Sequence, residues 1–86
     1  MAKVTVYTTD PCPYCARAKQ LLNAREIPFE EINLARDPDG RAELLARTGM
    51  MSFPQVLIGD QLVGGFTETL AADQSGKLAE MLKAAA

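Results

Sequence analysis

The spacing of Cys12 and Cys15 constrains the chain most, because they are its only cysteines and only two residues separate them. A pair at this spacing is typical of a dithiol that cycles between a reduced form and a disulfide. Residues 4–8 before it alternate like a strand, and residues 16–25 after it have the pattern of a helix. The pair is therefore predicted to lie where a strand passes into a helix.

A helix N-terminus at this place would activate a sulfur. With Cys12 as the N-cap, Pro13 takes the first helical position, where its missing N–H and fixed φ cost nothing. The free N–H groups of the first turn and the helix dipole then favour the thiolate over the thiol. Cysteines in such positions have pKa values of about 3.5–7.5. Arg17 and Lys19 add positive charge to the same helix.

The two cysteines are expected to differ in role. Cys15 shares helical spacing with the apolar residues Ala18, Leu21 and Leu22, so it is predicted to be shielded. Cys12 is then the exposed nucleophile, and Cys15 is the resolving thiol that closes the disulfide. A shared zinc site between two copies and a purely structural disulfide stay open as alternatives. The first lacks histidine and further cysteine ligands within the chain, and the second closes too short a loop to stabilise much.

Composition limits the other function classes. The 86 residues are predicted to form a single domain, residues 1–86, and the 48% of apolar residues favours a folded chain. A net charge of −2 gives no reason to expect nucleic acid or an anionic membrane as a partner. The first residues lead straight into a strand pattern rather than a signal peptide. We expect a monomer in the cytoplasm, where a reactive dithiol stays reduced.

The remaining pattern predicts an α/β fold with the order β-α-β-α-β-β-α. Such an order gives a central mixed sheet of about four strands, with helices on both faces and a right-handed crossover at its start. Asp37-Pro38 marks a helix start, and Gly59-Asp60 marks a two-residue hairpin. The predicted strands are 3–8, 29–34, 55–58 and 61–64, and the predicted helices are 13–25, 38 to about 49, and one C-terminal helix after Gly65.

Four separated features resemble the glutaredoxins. They are Tyr7-Thr8, the Cys12-Pro13-Tyr14-Cys15 motif, Phe53-Pro54-Gln55 and Gly64-Gly65, in that order. The chain is similar to the small bacterial members of the dithiol class over nearly its whole length. The resemblance implies the thioredoxin fold and an enzyme that uses glutathione as co-substrate. Its partners would be glutathionylated or disulfide-containing proteins, and no metal is expected.

The resemblance also implies a set of glutathione contacts. Pro54 matches the proline that follows a cis peptide bond in this fold, and Arg41 matches the position that holds the glycine carboxylate. The groups after Gly64-Gly65 match those that hold the γ-glutamyl end. The implied glutathione-binding residues are Tyr14, Arg41, Phe53, Pro54, Gly65, Phe66, Thr67 and Glu68.

Simpler interpretations stand beside these assignments. Arg41 and Glu68 are also explained as solvated helix charges, and Gly64-Gly65 as a tight turn. The chain departs from the family pattern at Pro11, in Thr67-Glu68, and at two groove positions. Thr9 replaces a lysine, and Phe53 replaces a small residue. These changes are expected to affect glutathione affinity more than the redox chemistry.

The leading functional prediction is a glutathione-dependent thiol–disulfide oxidoreductase. One alternative is a redoxin that takes its electrons from thioredoxin reductase, which the missing lysine allows. A second is a carrier of an iron–sulfur cluster ligated by Cys12 and glutathione. In the family that role favours motifs without proline after the first cysteine, so Pro13 counts against it.

Overall fold

A computed structural model describes residues 3–85, which form four strands and four helices. Each predicted strand is present, and no end differs by more than one residue from the predicted one. The elements are β1 (Val4–Thr8), α1 (Pro13–Ala24), β2 (Glu30–Asn33), α2 (Pro38–Thr48), β3 (Gln55–Ile58), β4 (Gln61–Gly64), α3 (Phe66–Ser75) and α4 (Lys77–Ala85).

The strands form one mixed sheet in the order β2-β1-β3-β4. The β1 strand pairs in parallel with β2 and antiparallel with β3, and β3 pairs antiparallel with β4. The parallel pair follows from the α1 crossover, and the Gly59-Asp60 turn produces the hairpin. The predicted mixed four-stranded α/β sheet is confirmed.

The larger core lies on the sheet face covered by α1, α3 and α4. Strand alternation directs Val4, Val6, Val56 and Ile58 to this face, because successive side chains point to opposite sides. The helices contribute one buried apolar residue each to this cluster, Leu22, Ala72 and Leu78. Helix α1 is thereby fixed against β1, and its first turn stands at the end of that strand.

Helix α2 covers the opposite face. Its N-cap is Asp37, whose side chain accepts from the Gly40 N–H at 2.9 Å, and Pro38 occupies the first turn as predicted. On this side Leu44 is 3% and Leu57 2% exposed, and both lie outside the larger cluster. Helices on both faces are therefore present, with unequal cores beneath them.

The C-terminal region departs from the predicted single helix. Gly76 has φ +85°, a left-handed conformation that ends α3 before α4 begins. Leu78 is buried on α4, and Met81 and Leu82 pack against the core cluster as the predicted face of this helix. The predicted helical structure after Gly65 is present, but Gly76 divides it into two helices. Within residues 3–85, no helix is both long and apolar enough to cross a lipid bilayer.

Candidate active site

The β1–α1 junction holds the two cysteines in the predicted capping geometry. Cys12 is the N-cap with extended backbone, and Pro13 is the first residue of α1. The Cys15 N–H donates a hydrogen bond to Cys12 Sγ at 3.1 Å, and the two sulfurs form a disulfide. In the reduced protein this N–H would donate to the Cys12 sulfur as well. Because a hydrogen bond to a charged group is stronger than one to a neutral group, it would favour the thiolate.

The two sulfurs differ in their access to a partner. Cys12 is half-buried, whereas Cys15 is 3% exposed and packs with Ala18 and Leu22 on the buried side of α1. Of the two cysteines, Cys12 is therefore the one open to solvent. Cys15 lies within bonding distance of Cys12 but is shielded from a second molecule.

The two cations on α1 have other partners. The Arg17 guanidinium lies over the Tyr14 ring, 5.3 Å from its centroid. Lys19 Nζ donates to Glu31 at 3.1 Å, and Thr8 Oγ1 donates to the same carboxylate at 2.8 Å. The Thr8 hydrogen bond, with a smaller contribution from Lys19, holds the pKa of Glu31 below its usual range despite partial burial. Lys19 therefore stabilises the α1–β2 contact instead of pointing its charge at Cys12.

A shallow groove adjoins the cysteine motif through Tyr14. Its volume is about 170 Å³, and we call it the motif groove. Every sequence-predicted glutathione contact except Arg41 lies in its wall. The residues that line it are Tyr14, Ser52, Phe53, Pro54, Gly65, Phe66, Thr67 and Glu68.

Two local features shape the walls of the motif groove. The Phe53-Pro54 peptide bond is cis, as the resemblance implied, and Asp10-Pro11 is also cis, which was not predicted. The Tyr14 and Phe66 rings lie 6.1 Å apart at their centroids and form one aromatic wall. The groove wall thus combines aromatic rings with the polar side chains of Ser52, Thr67 and Glu68.

The N-terminus of α3 forms the far end of the groove. Gly64 has φ +130°, and a side chain there would lie 2.7 Å from Glu68 Cβ, so this position requires glycine. Glu68 Oε1 accepts the Gly65 N–H at 2.8 Å. The Glu68 carboxylate therefore caps its own helix, and an ammonium ligand would have to share it.

Arg41 lies in a neighbouring pocket of about 320 Å³, which we call the Met51 pocket. Its Nη1 donates to the carbonyls of Leu34 at 2.6 Å and Ala35 at 3.0 Å, so the guanidinium is tied to the β2–α2 loop. The two depressions meet at Phe53, which lines both. The Met51 pocket is lined mainly by Arg41, Leu44 and Leu45 of α2 and by Met50, Met51 and Phe53 of the loop that follows.

Gln55 supports the site, a role that was not predicted from its place in the third strand or in the Phe53-Pro54-Gln55 motif. Its side chain is fully buried, its Nε2 donates to the carbonyls of Met50 and Ser52 at 3.0 Å, and its Oε1 accepts from Thr48 at 2.8 Å. A polar residue in a strand that is buried along its whole length was the available signal, because such a group needs partners. Gln55 fixes the loop that carries Phe53. Among residues 3–85, no group of three or more His, Cys, Asp or Glu side chains is arranged to hold a metal ion.

Comparison with known proteins places this site in a family. The glutaredoxin family model matches residues 4–63. The chain is 44% identical over 84 residues to a glutaredoxin of Pseudomonas aeruginosa, covering 98% of this chain and 100% of that protein. It is 39% identical over 83 residues to glutaredoxin 3 of Escherichia coli K12, covering 96% and 100% of the two chains.

Solved structures agree with these sequence matches. The buckwheat glutaredoxin–glutathione complex superposes with a TM-score of 0.86 at 31% identity, covering 98% of this chain and 79% of that one. The solution structure of glutaredoxin from Brucella melitensis gives 0.84 at 44% identity, covering 96% and 90%. With a capped cysteine pair beside a cis-proline groove in the thioredoxin fold, the chain belongs to the glutaredoxin family of glutathione-dependent thiol–disulfide oxidoreductases.

Proposed function

We propose that the chain reduces protein–glutathione mixed disulfides with Cys12 as the nucleophile. The Cys12 thiolate attacks the glutathione sulfur, the S–S bond breaks, and the target cysteine leaves as a thiolate that takes a proton from water. A second glutathione thiolate then attacks the glutathione sulfur on Cys12, releasing oxidised glutathione and the Cys12 thiolate. Each mixed disulfide thus consumes one free glutathione, and the glutathione released from the target supplies the other half of the oxidised glutathione.

Protein disulfides require the second cysteine. Attack by Cys12 on such a disulfide leaves the target joined to Cys12. Cys15 then attacks the Cys12 sulfur, the target leaves with both thiols reduced, and the Cys12–Cys15 disulfide remains for two glutathione molecules to reduce. The difference in access between half-buried Cys12 and buried Cys15 is the observation that carries this division of roles. Exchange depends on the thiolate fraction and on access, both of which favour Cys12.

We infer that glutathione occupies the motif groove. An extended peptide there would pair with the Phe53 backbone, and its γ-glutamyl carboxylate would meet the free N–H groups that begin α3. Pro54, Gly65, Phe66, Thr67 and Glu68 would surround it with Tyr14. The glycine carboxylate of glutathione would have the fewest partners. Thr9 carries no charge, and the Arg41 guanidinium already donates hydrogen bonds to the Leu34 and Ala35 carbonyls. A solved glutaredoxin–glutathione complex of the same fold supports the proposal.

We also propose that residues 1–86 act as one monomeric domain in the cytoplasm, with no nucleic acid, membrane or metal partner. A reducing compartment suits a dithiol of this kind, because the reduced form must be regenerated by glutathione.

The test is turnover of the mixed disulfide of glutathione and 2-mercaptoethanol, with glutathione as reductant and glutathione reductase with NADPH as the readout. Wild-type protein is expected to turn over rapidly, Cys12→Ser to be inactive, and Cys15→Ser to keep this activity while losing protein-disulfide reduction. A Cys12→Ser protein with full activity would refute the mechanism.

Turnover only with thioredoxin reductase and NADPH would favour the alternative redoxin, and a coloured protein purified without oxygen would favour the cluster carrier.

A further inference from the structure

Three exposed apolar side chains line the two depressions that share Phe53. In the described chain, the exposed large hydrophobic residues are Tyr14 at 54%, Leu45 at 38% and Met51 at 80%. Leu45 and Met51 line the Met51 pocket, and Tyr14 lines the motif groove that joins it at Phe53. Scattered exposed apolar residues need no explanation, but a contiguous group marks an interaction site. Phe53 therefore links the apolar lining of the Met51 pocket to the groove beside the cysteine motif.

The exposure of Met51 is built into the folded chain. The carbonyls on either side of it, from Met50 and Ser52, both accept hydrogen bonds from the buried Gln55 amide. The backbone on both sides of Met51 is thereby fixed to a buried side chain, while the Met51 side chain itself faces water. A flexible, polarisable thioether at such a place suits contact with apolar partners of varied shape.

The charge of the pocket narrows the class of partner. Arg41 is the only charged residue among those that line it, although the whole chain has a net charge of −2. A neutral or acidic segment meets no carboxylate here, whereas a basic segment meets a like charge. Glutathione has no large apolar side chain with which to fill the pocket.

These observations concern the targets of the proposed reaction, so the inference rests on the proposed function. We propose that the Met51 pocket binds an apolar side chain beside the oxidised cysteine of a protein substrate. The occupant is an extended, neutral or acidic segment of that substrate. With the side chain seated, Cys12 attacks the glutathione sulfur, the S–S bond breaks, and the substrate cysteine leaves as a thiolate that water protonates. Glutathione then remains on Cys12.

The experiment compares two neutral peptides that carry one glutathionylated cysteine, flanked on both sides by leucine in one peptide and by serine in the other. Pre-reduced protein is mixed with each, and the second-order rate of peptide thiol release is measured in a single turnover, without any external reductant. Wild-type protein is expected to react about 5- to 10-fold faster with the leucine peptide, as partial burial of an apolar side chain allows.

Variants test whether the preference arises in this pocket. Met51→Ser is expected to lower the ratio of the two rates to below about twofold, because it removes apolar surface from the rim. Met51→Leu is expected to retain the ratio. The matched control is Leu62→Ser, which removes a leucine from a separate cavity between β4, α3 and α4 and is expected to retain it too.

Three results would overturn the proposal. They are equal rates for both peptides with wild-type protein, a preference that Met51→Ser retains, and sedimentation showing a wild-type dimer that Met51→Ser dissociates, since a second copy would then fill the pocket. The proposed function is judged separately by steady-state turnover of the glutathione–mercaptoethanol disulfide. Because the single-turnover ratio needs no reductant, either conclusion can fail while the other stands.

Discussion

At the scale of single residues, two buried threonines place their hydroxyls in opposite situations. Thr69 is fully buried, and its Oγ1 has no hydrogen-bond partner among residues 3–85. Thr8 is 1% exposed, and its Oγ1 donates to Glu31 at 2.8 Å. A buried hydroxyl without a partner costs free energy, whereas a hydrogen bond to a carboxylate stabilises the fold. The same substitution should therefore change stability in opposite directions at these two positions.

We expect Thr69→Val to raise the free energy of unfolding by about 1 kcal/mol, because valine has the same shape and leaves no polar atom unpaired. Thr8→Val is the matched control and should lower it by about 1–2 kcal/mol, since it removes a hydrogen bond to a charged group. Urea unfolding of the two variants and wild type measures both changes. A Thr69→Val protein less stable than wild type would show that this hydroxyl is satisfied in solution.

At the scale of elements, the β4–α3 junction depends on Gly64. We expect Gly64→Ala to lower the free energy of unfolding by about 3 kcal/mol, because φ +130° strains any side chain and the new Cβ would meet Glu68 at 2.7 Å. Gly76→Ala is the control, with φ +85° but no atom within 4 Å, and should cost only about 1–2 kcal/mol. Urea midpoints compare them, and adding Glu68→Ala, which keeps Cβ but removes the Cγ and Oε1 contacts at 2.9 and 3.0 Å, should recover only part of the Gly64→Ala loss. Equal costs for the two alanine variants would argue that the Glu68 contact is relieved without strain.

The Glu31 carboxylate joins three elements, because Thr8 of β1 and Lys19 of α1 both donate to it from outside β2. Its pKa is lowered in the folded chain, so its contribution to stability is present above the unfolded pKa of about 4.3 and is lost as the pH falls through the lower folded value. We expect Glu31→Gln to destabilise the protein at pH 7 by no more than about 1 kcal/mol, because the Lys19 and Glu31 side chains are each about one-third exposed. Urea unfolding of both proteins from pH 7 to pH 3 should show this difference shrinking below about pH 5. A difference that stays constant over that range contradicts the assignment.

The elements also show what sequence reasoning can and cannot reach. Local signals such as Pro13, Asp37-Pro38 and Gly59-Asp60 act within a few residues, so they predicted the helix starts and the hairpin. Gly76 was missed as a helix end, because a helical apolar period continues on both sides of it. The direction of the Arg41 guanidinium depends on the β2–α2 loop, a contact that residue spacing does not encode. The Gln55 hydrogen bonds could not be predicted for the same reason, because they depend on how the loop before β3 folds back on that strand.

At the scale of the whole molecule, the two faces of the sheet carry cores of different size. The face under α1, α3 and α4 has one continuous buried cluster, joined by five partly buried apolar residues that pack against it. Helix α2 buries only Leu44 of its own residues on the other face. Local opening follows the amount of buried apolar contact, so α2 should open more easily than α1. Both of its ends are capped, by Asp37 and Gly49, so fraying does not account for the difference.

Native-state hydrogen exchange in low urea measures this difference directly. We expect the amides of α2 to exchange at least about tenfold faster than those of α1, a helix of similar length, through an opening that leaves the β1–β3 pairing intact. The α2 amides should also show a weaker urea dependence, because their opening exposes less surface than global unfolding does. If α2 and β3 instead exchange with one free energy and one urea slope, the two cores unfold together. An independent opening of α2 would let the Met51 pocket adjust to different substrate side chains while the cysteine motif stays fixed on the stable face.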